Sequence, residues 1–220
     1  MKKTGFFVFL IIAVYSYGQD SLRITPYGQA LRDSYLAMDV LHQWQAGRHV
    51  DWQTGEPDDP DAVSGIRTHC SAFVAAACER QGIYILRPPQ HKQELLANAQ
   101  FKWLNSDQAK DDGWYPITKN ILSEAQKMAD EGFMVVACAQ NPDRHKPGHI
   151  ALVMPAKESL EQIQQNGPLL IQASAENSIH AVFRLAFCRH IADWHSATDQ
   201  VLFYYNTKKI QCHESQSIGH

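Results

Sequence analysis

The stretch "RTHCSAFVAAACERQG" (residues 67–82) places a thiol at the head of an almost unbroken apolar run that stops at a glycine. Read as a helix, it sets Phe73, Val74, Ala77 and Cys78 on one face and fills the others with Ala72, Ala75 and Ala76. A helix apolar nearly all round is a buried one, so the rest of the chain must cover it on every side. Thr68 is the expected N-cap and Gly82 the C-terminal stop. Upstream, Leu31, Tyr35, Met38, Leu41 and Trp44 recur at intervals of three and four, which predicts an amphipathic helix over residues 29–44. The polar, turn-rich segment 46–65 reads as a long loop, and long loops in compact domains are often functional. Downstream, helices are expected over residues 91–99 and from Thr118 to the stop at Gly132. The pattern then changes to short apolar or β-branched runs: "FMVVACA", "HIALVMP", "PLLIQAS", "AVFRLAF" and "VLFYY". Helices come first and strands second. The expected class is therefore α+β, an N-terminal helical part packed on a largely antiparallel β-sheet.

The opening "MKKTGFFVFLIIAVYSYG" combines two lysines, an apolar run and small residues at Ser16 and Gly18, the three-part pattern of a secretory signal. Residues 1–18 are expected to be removed on export, leaving 19–220 as a single domain in the periplasm or outside the cell. Loss of that segment takes two lysines and no acid, so the exported chain is more acidic than the formal charge of −3. No basic patch with interleaved aromatics suggests a nucleic-acid partner. Five cysteines are an odd number for an oxidising compartment, so at least one thiol needs another reason to be there. A bridge between Cys188 and Cys212 would tie down the C-terminal tail, with Cys78 and Cys138 as reduced core residues.

Cys70 falls where a helix N-terminus favours a thiolate, because unpaired N–H groups and the macrodipole both stabilise an anion there. The same N–H groups can stabilise an oxyanion formed beside the sulfur. Alone, it reads first as a small core residue, because free cysteine is among the most buried residue types. "DRHKPGHIALVMP" (residues 143–155) supplies a partner: His149 opens an apolar strand directly after a Pro-Gly turn. With His145 it offers two metal ligands, but no third ligand stands at a typical spacing, and no metal or organic cofactor is expected. Gln172 is a polar residue in the next apolar strand, and its carbonyl can accept a ring proton and fix the imidazole tautomer. Glu176 and Asn177 are the substitutes if the register differs.

Cysteine on a buried helix, Gly-His opening a strand, and a polar residue in "IQAS" on the following strand resemble the NlpC-type cell-wall peptidases, papain-like cysteine enzymes related to the CHAP amidases. The resemblance covers residues 65–174. It implies a papain-like α+β fold and cleavage of peptidoglycan stem peptides, commonly between D-glutamate and diaminopimelate. It implies Cys70 as nucleophile, His149 as base and Gln172 as the third member. The chain departs from the family's Asp-Cys-Ser-Gly-Phe: His69, Cys70, Ser71, Ala72 and Phe73 stand there, which bears on substrate preference. The alternatives are an amidase cutting between sugar and peptide, an acyl or amide transferase on a protein substrate, and a non-catalytic wall-binding protein.

Overall fold

A computed structural model describes residues 23–59, 68–141, 143 and 145–211. The expected signal segment and Cys212 lie outside the described residues. Helix α1 (Pro26–Leu36) begins with proline behind Thr25, whose hydroxyl accepts the Gly28 N–H. It ends well before residue 44. Asp39 and Trp44 adopt left-handed φ of 52° and 51°, and the Trp44 N–H donates to the Gly55 carbonyl. The turns that replace the expected second half of the helix still bury Met38 and Trp44, while Leu41 is exposed. The segment read as a loop carries a two-stranded ladder, β1 (His49–Val50) against β2 (Pro57–Asp59).

Helix α2 (Cys70–Arg80) is the buried helix, with every residue from Cys70 to Cys78 inaccessible. Its N-cap is His69 rather than Thr68, and no side chain caps it. The His69 ring instead donates through Nε2 to the Arg48 carbonyl at 2.8 Å, tethering the helix start to the residue before β1. The next helix starts later than the sequence suggests. Leu95 turns left-handed at φ 52°, and α3 (Leu96–Leu104) and α4 (Asp107–Asp111) follow. Buried Gln100 clamps α3 to its neighbours by donating to the Ser71 and Leu86 carbonyls. Strand β3 (Trp114–Pro116) precedes α5 (Ile121–Asp130), which Gly132 ends at φ 92°.

The strands then arrive as their apolar runs predict: β4 (Phe133–Ala139), β5 (His149–Val153), β6 (Leu169–Gln172) and, last, β8 (Leu202–Lys209). Helix α6 (Leu160–Asn166) joins β5 to β6. The run "AVFRLAF" is only partly a strand. Following β7 (Ser178–Val182), the chain coils into α7 (Phe183–Ala186), which puts Phe183 and Phe187 into the core one turn apart. A short α8 (Ala197–Gln200) leads into β8. The six-stranded sheet has the order β3-β8-β4-β5-β6-β7 with every pairing antiparallel. The protein is α+β.

Alternation along the central strands divides the interior in two. Val136, Cys138, Ile150 and Leu152 face α2 and α3, while Val135, Ala137, Ala151 and Val153 face α5, Phe183 and Phe187. One buried carboxylate knots the second layer. Asp130 Oδ1 accepts from the Ala156 N–H and from Gln126 Nε2, and its backbone carbonyl accepts both the N–H and the hydroxyl of Thr25. Among the described residues its Oδ2 has no hydrogen-bond partner. Burial pushes the Asp130 carboxyl up to about 6, against the pull of those donors. A carboxyl raised in the fold holds its proton longer than in the unfolded chain, so its contribution to stability falls as pH rises from about 4 through about 6. Buried His149 has the opposite slope over a similar range. Asp130→Asn is therefore expected to gain stability relative to wild type as pH is raised across that window, read from urea midpoints of the two proteins side by side. A pH-independent difference would show that Asp130 does not titrate there.

Candidate functional site

Cys70 is the first residue of α2, and only 3% of its surface is accessible. Its environment is mixed. Burial pushes the thiol up, and the backbone N–H groups of Ile150, Ser71 and Cys70 itself pull it back. Two of those donors belong to the helix start. The third belongs to β5, one residue after His149.

His149 opens β5 and is nearly inaccessible, with its ring 4.7 Å from that of Phe187 and 6.2 Å from that of His190. Its Nε2 lies 2.8 Å from Gln172 Oε1. A chain of donors fixes which ring nitrogen carries the proton. The Ser174 hydroxyl donates to the Glu176 carbonyl at 2.7 Å, so it must accept from Gln172 Nε2 at 3.2 Å. The Gln172 carbonyl oxygen therefore faces the imidazole and accepts the Nε2 proton, which leaves the lone pair on Nδ1. Burial pushes the His149 ring down to about 4, with the Gln172 bond acting against it. The resting site thus combines a neutral thiol with a neutral imidazole.

Gln172, of the three candidates for the acceptor, is the one that meets the ring. Asn177 has another task. Its Nδ2 donates to the Val40 and Gln43 carbonyls and its Oδ1 accepts the Ser174 N–H, joining the turns after α1 to the end of β6. Glu176 contributes its backbone carbonyl to Ser174. The structure brings His149 and Gln172 into contact. Among the described residues no hydrogen bond joins the Cys70 sulfur to the imidazole; the two meet through the Ile150 amide at the mouth of β5.

Two further residues set that mouth. A Cβ on Gly148 would stand 2.3 Å from the Ala139 carbonyl oxygen and 2.6 Å from Asn98 Oδ1. Asn98, buried on α3, donates to the Lys146 carbonyl and accepts the Asn141 N–H, so it grips both ends of the turn that delivers His149. Sequence reading passed over Asn98; a polar residue among "LLANAQ" was the signal. Gly148→Ala is expected to destabilise the fold by about 1–3 kcal/mol through overpacking, measured by chemical denaturation. An unchanged midpoint would mean that the turn shifts freely.

The thiol lines a cavity of about 790 Å³, whose wall also carries His49, Trp52, His69, His91, Lys92 and Pro147. Among the described residues no three histidine, cysteine or carboxylate side chains gather to hold a metal, and no helix is long and apolar enough to cross a membrane. Cys188 is exposed, and the partner expected for it lies outside the described residues. No family model matches the chain, and no curated protein matches it.

Proposed function

We propose that this protein is an exported cysteine hydrolase of papain-like fold that cleaves peptide bonds in peptidoglycan stem peptides, of the D-glutamate–diaminopimelate type. The observation that carries the reading is the placement of Cys70. A thiol at the first turn of a buried helix opens on a cavity large enough for a peptide segment, and a tautomer-fixed imidazole starts the strand beside it. In this reading Nδ1 of His149 takes the thiol proton as Sγ bonds to the scissile carbonyl carbon. The Cys70 and Ser71 N–H groups steady the oxyanion. The C–N bond then breaks, the leaving amine takes the proton back from His149, and water hydrolyses the thioacyl group. Cys70 packs with one face of the sheet and the His149 ring rests on Phe187 at the other, so the reading requires Sγ–Nδ1 contact to form around the end of β5 when substrate binds, as catalytic hydrogen bonds that are long in a free enzyme often do.

Digestion of purified peptidoglycan, with fragments identified by mass spectrometry, tests the reading. Fragments ending within the stem peptide are expected. Release of whole stem peptides from the sugar would reassign the protein as an amidase. An intact wall that nevertheless retains the protein would make it a wall-binding module.

A further inference from the structure

Among the imidazoles that line the Cys70 cavity, His49 is held by a carboxylate, and the mechanism above leaves it unused. His49 lines the cavity, and its Nδ1 is hydrogen-bonded to Asp58 Oδ1 across the β1–β2 ladder. A carboxylate only accepts, so Nδ1 carries the proton and Nε2 is left with the lone pair. Two bonds hold the pair to the thiol side of the molecule. The residue before Cys70 donates to the residue before His49, through His69 Nε2 and the Arg48 carbonyl. Val50, next to His49, is fully buried, and its carbonyl accepts from Gln93 Nε2 at 2.9 Å. His49 itself remains partly open, with 43% of its side chain accessible. His149 differs in each respect: it is buried, and it is not among the residues lining the cavity.

Of the two imidazoles, His49 thus lines the cavity and is partly open, whereas His149 is buried outside its wall. We propose that His49, oriented by Asp58, is the base that activates the deacylating water. The proposal rests on Cys70 being the nucleophile. In the step, a water O–H proton passes to His49 Nε2 while the water oxygen bonds to the thioacyl carbon. The C–S bond breaks, the product leaves as a carboxylic acid, and the thiolate regains a proton from the His49 imidazolium. Nothing is oxidised or reduced. Asp58 steadies the imidazolium while it exists, as a buried or partly buried carboxylate does for a catalytic histidine.

The test separates the two half-reactions with p-nitrophenyl acetate, a small activated ester that acylates thiols without needing a stem-peptide sequence. Wild type is expected to release a burst of p-nitrophenolate and then turn over slowly. His49→Gln is expected to keep the burst and lose about 10- to 100-fold of the steady rate, with acetyl on Cys70 accumulating in the intact mass. Asp58→Asn should show the same split more mildly. Because His49 and Asp58 are partly exposed, neither change disturbs the core. A steady rate unchanged in both variants, with the burst intact, would overturn the role of His49 and leave the hydrolase reading standing. Absence of any burst or acetyl-Cys70 in wild type would overturn both.

Discussion

Cys70→Ala is expected to abolish stem-peptide hydrolysis, a loss on the order of 10⁴-fold or more, while the protein stays folded. The expectation of folding comes from size and place. A small side chain replaces a small one at the first turn of α2, and the core beneath it runs on through Phe73, Val74 and Cys78 unaltered. Removing one buried sulfur costs about 1 kcal/mol, well short of what unfolds a domain. Far-ultraviolet circular dichroism and a urea midpoint check the fold, and fragment release from peptidoglycan checks activity. Full hydrolysis by a folded Cys70→Ala protein would refute the cysteine mechanism outright. Cys78→Ala serves as the contrast. That thiol is buried two turns into the helix, where burial pushes it far up, so its loss should alter stability and not turnover.

His149 and Gln172 should fail unequally, and in different pH ranges. In the proposed mechanism His149→Ala removes both the acceptor for the thiol proton and the donor for the leaving amine, so its loss should approach that of Cys70→Ala. Gln172→Ala leaves the base present but unheld and should cost about 10- to 100-fold, the usual range for a group that orients another. The pH profile separates the roles further. A base pushed down to about 4 stays neutral, and hence competent, through the mildly acidic range, so the acid limb of wild type should fall near 4 and not near the ordinary histidine value. The Gln172 carbonyl favours the charged ring. Its removal should therefore shift the acid limb lower still while reducing the plateau. A limb in Gln172→Ala that moves upward, or an undiminished plateau, would show that the amide does not orient the base.

The elements that carry the candidate site were the most legible in the sequence. "FMVVACA" is β4 residue for residue, and both "HIALVMP" and "PLLIQAS" contain a strand beginning or ending on a polar residue. Their apolar runs are continuous because both faces of the sheet are buried, a pattern hard to mistake. Helix ends were harder to read. Periodicity carried the expected first helix on to Trp44, because a tight turn that still points Met38 and Trp44 inward leaves the same apolar spacing as a helix. Phe183 and Phe187 posed the reverse problem, since a strand run and a one-turn coil bury the same aromatics. The acceptor for His149 was narrowed to three residues; the fold of β6 brings Gln172 to the ring, and the Ser174 hydroxyl then sets which end of its amide faces it. The His49–Asp58 pair was invisible for a plain reason. It depends on a ladder inside a segment whose composition announces nothing but turns.

The division of the interior by the central sheet also bears on how such a chain can change over generations. Cys70 is seated among the residues of one face, and the ring of His149 rests on Phe187 in the other. Substitutions in separate layers that share no contacts add nearly independently in stability. Drift in the aromatic layer around Phe183 and Phe187 can thus retune the seat of the base without repacking the helix that presents the thiol, and drift around α2 can reshape the cavity without moving the base. What neither layer can absorb is a slip of β5 by one residue. That change would exchange the two faces at a stroke, so the strand's register, more than any single side chain, is the inherited constraint.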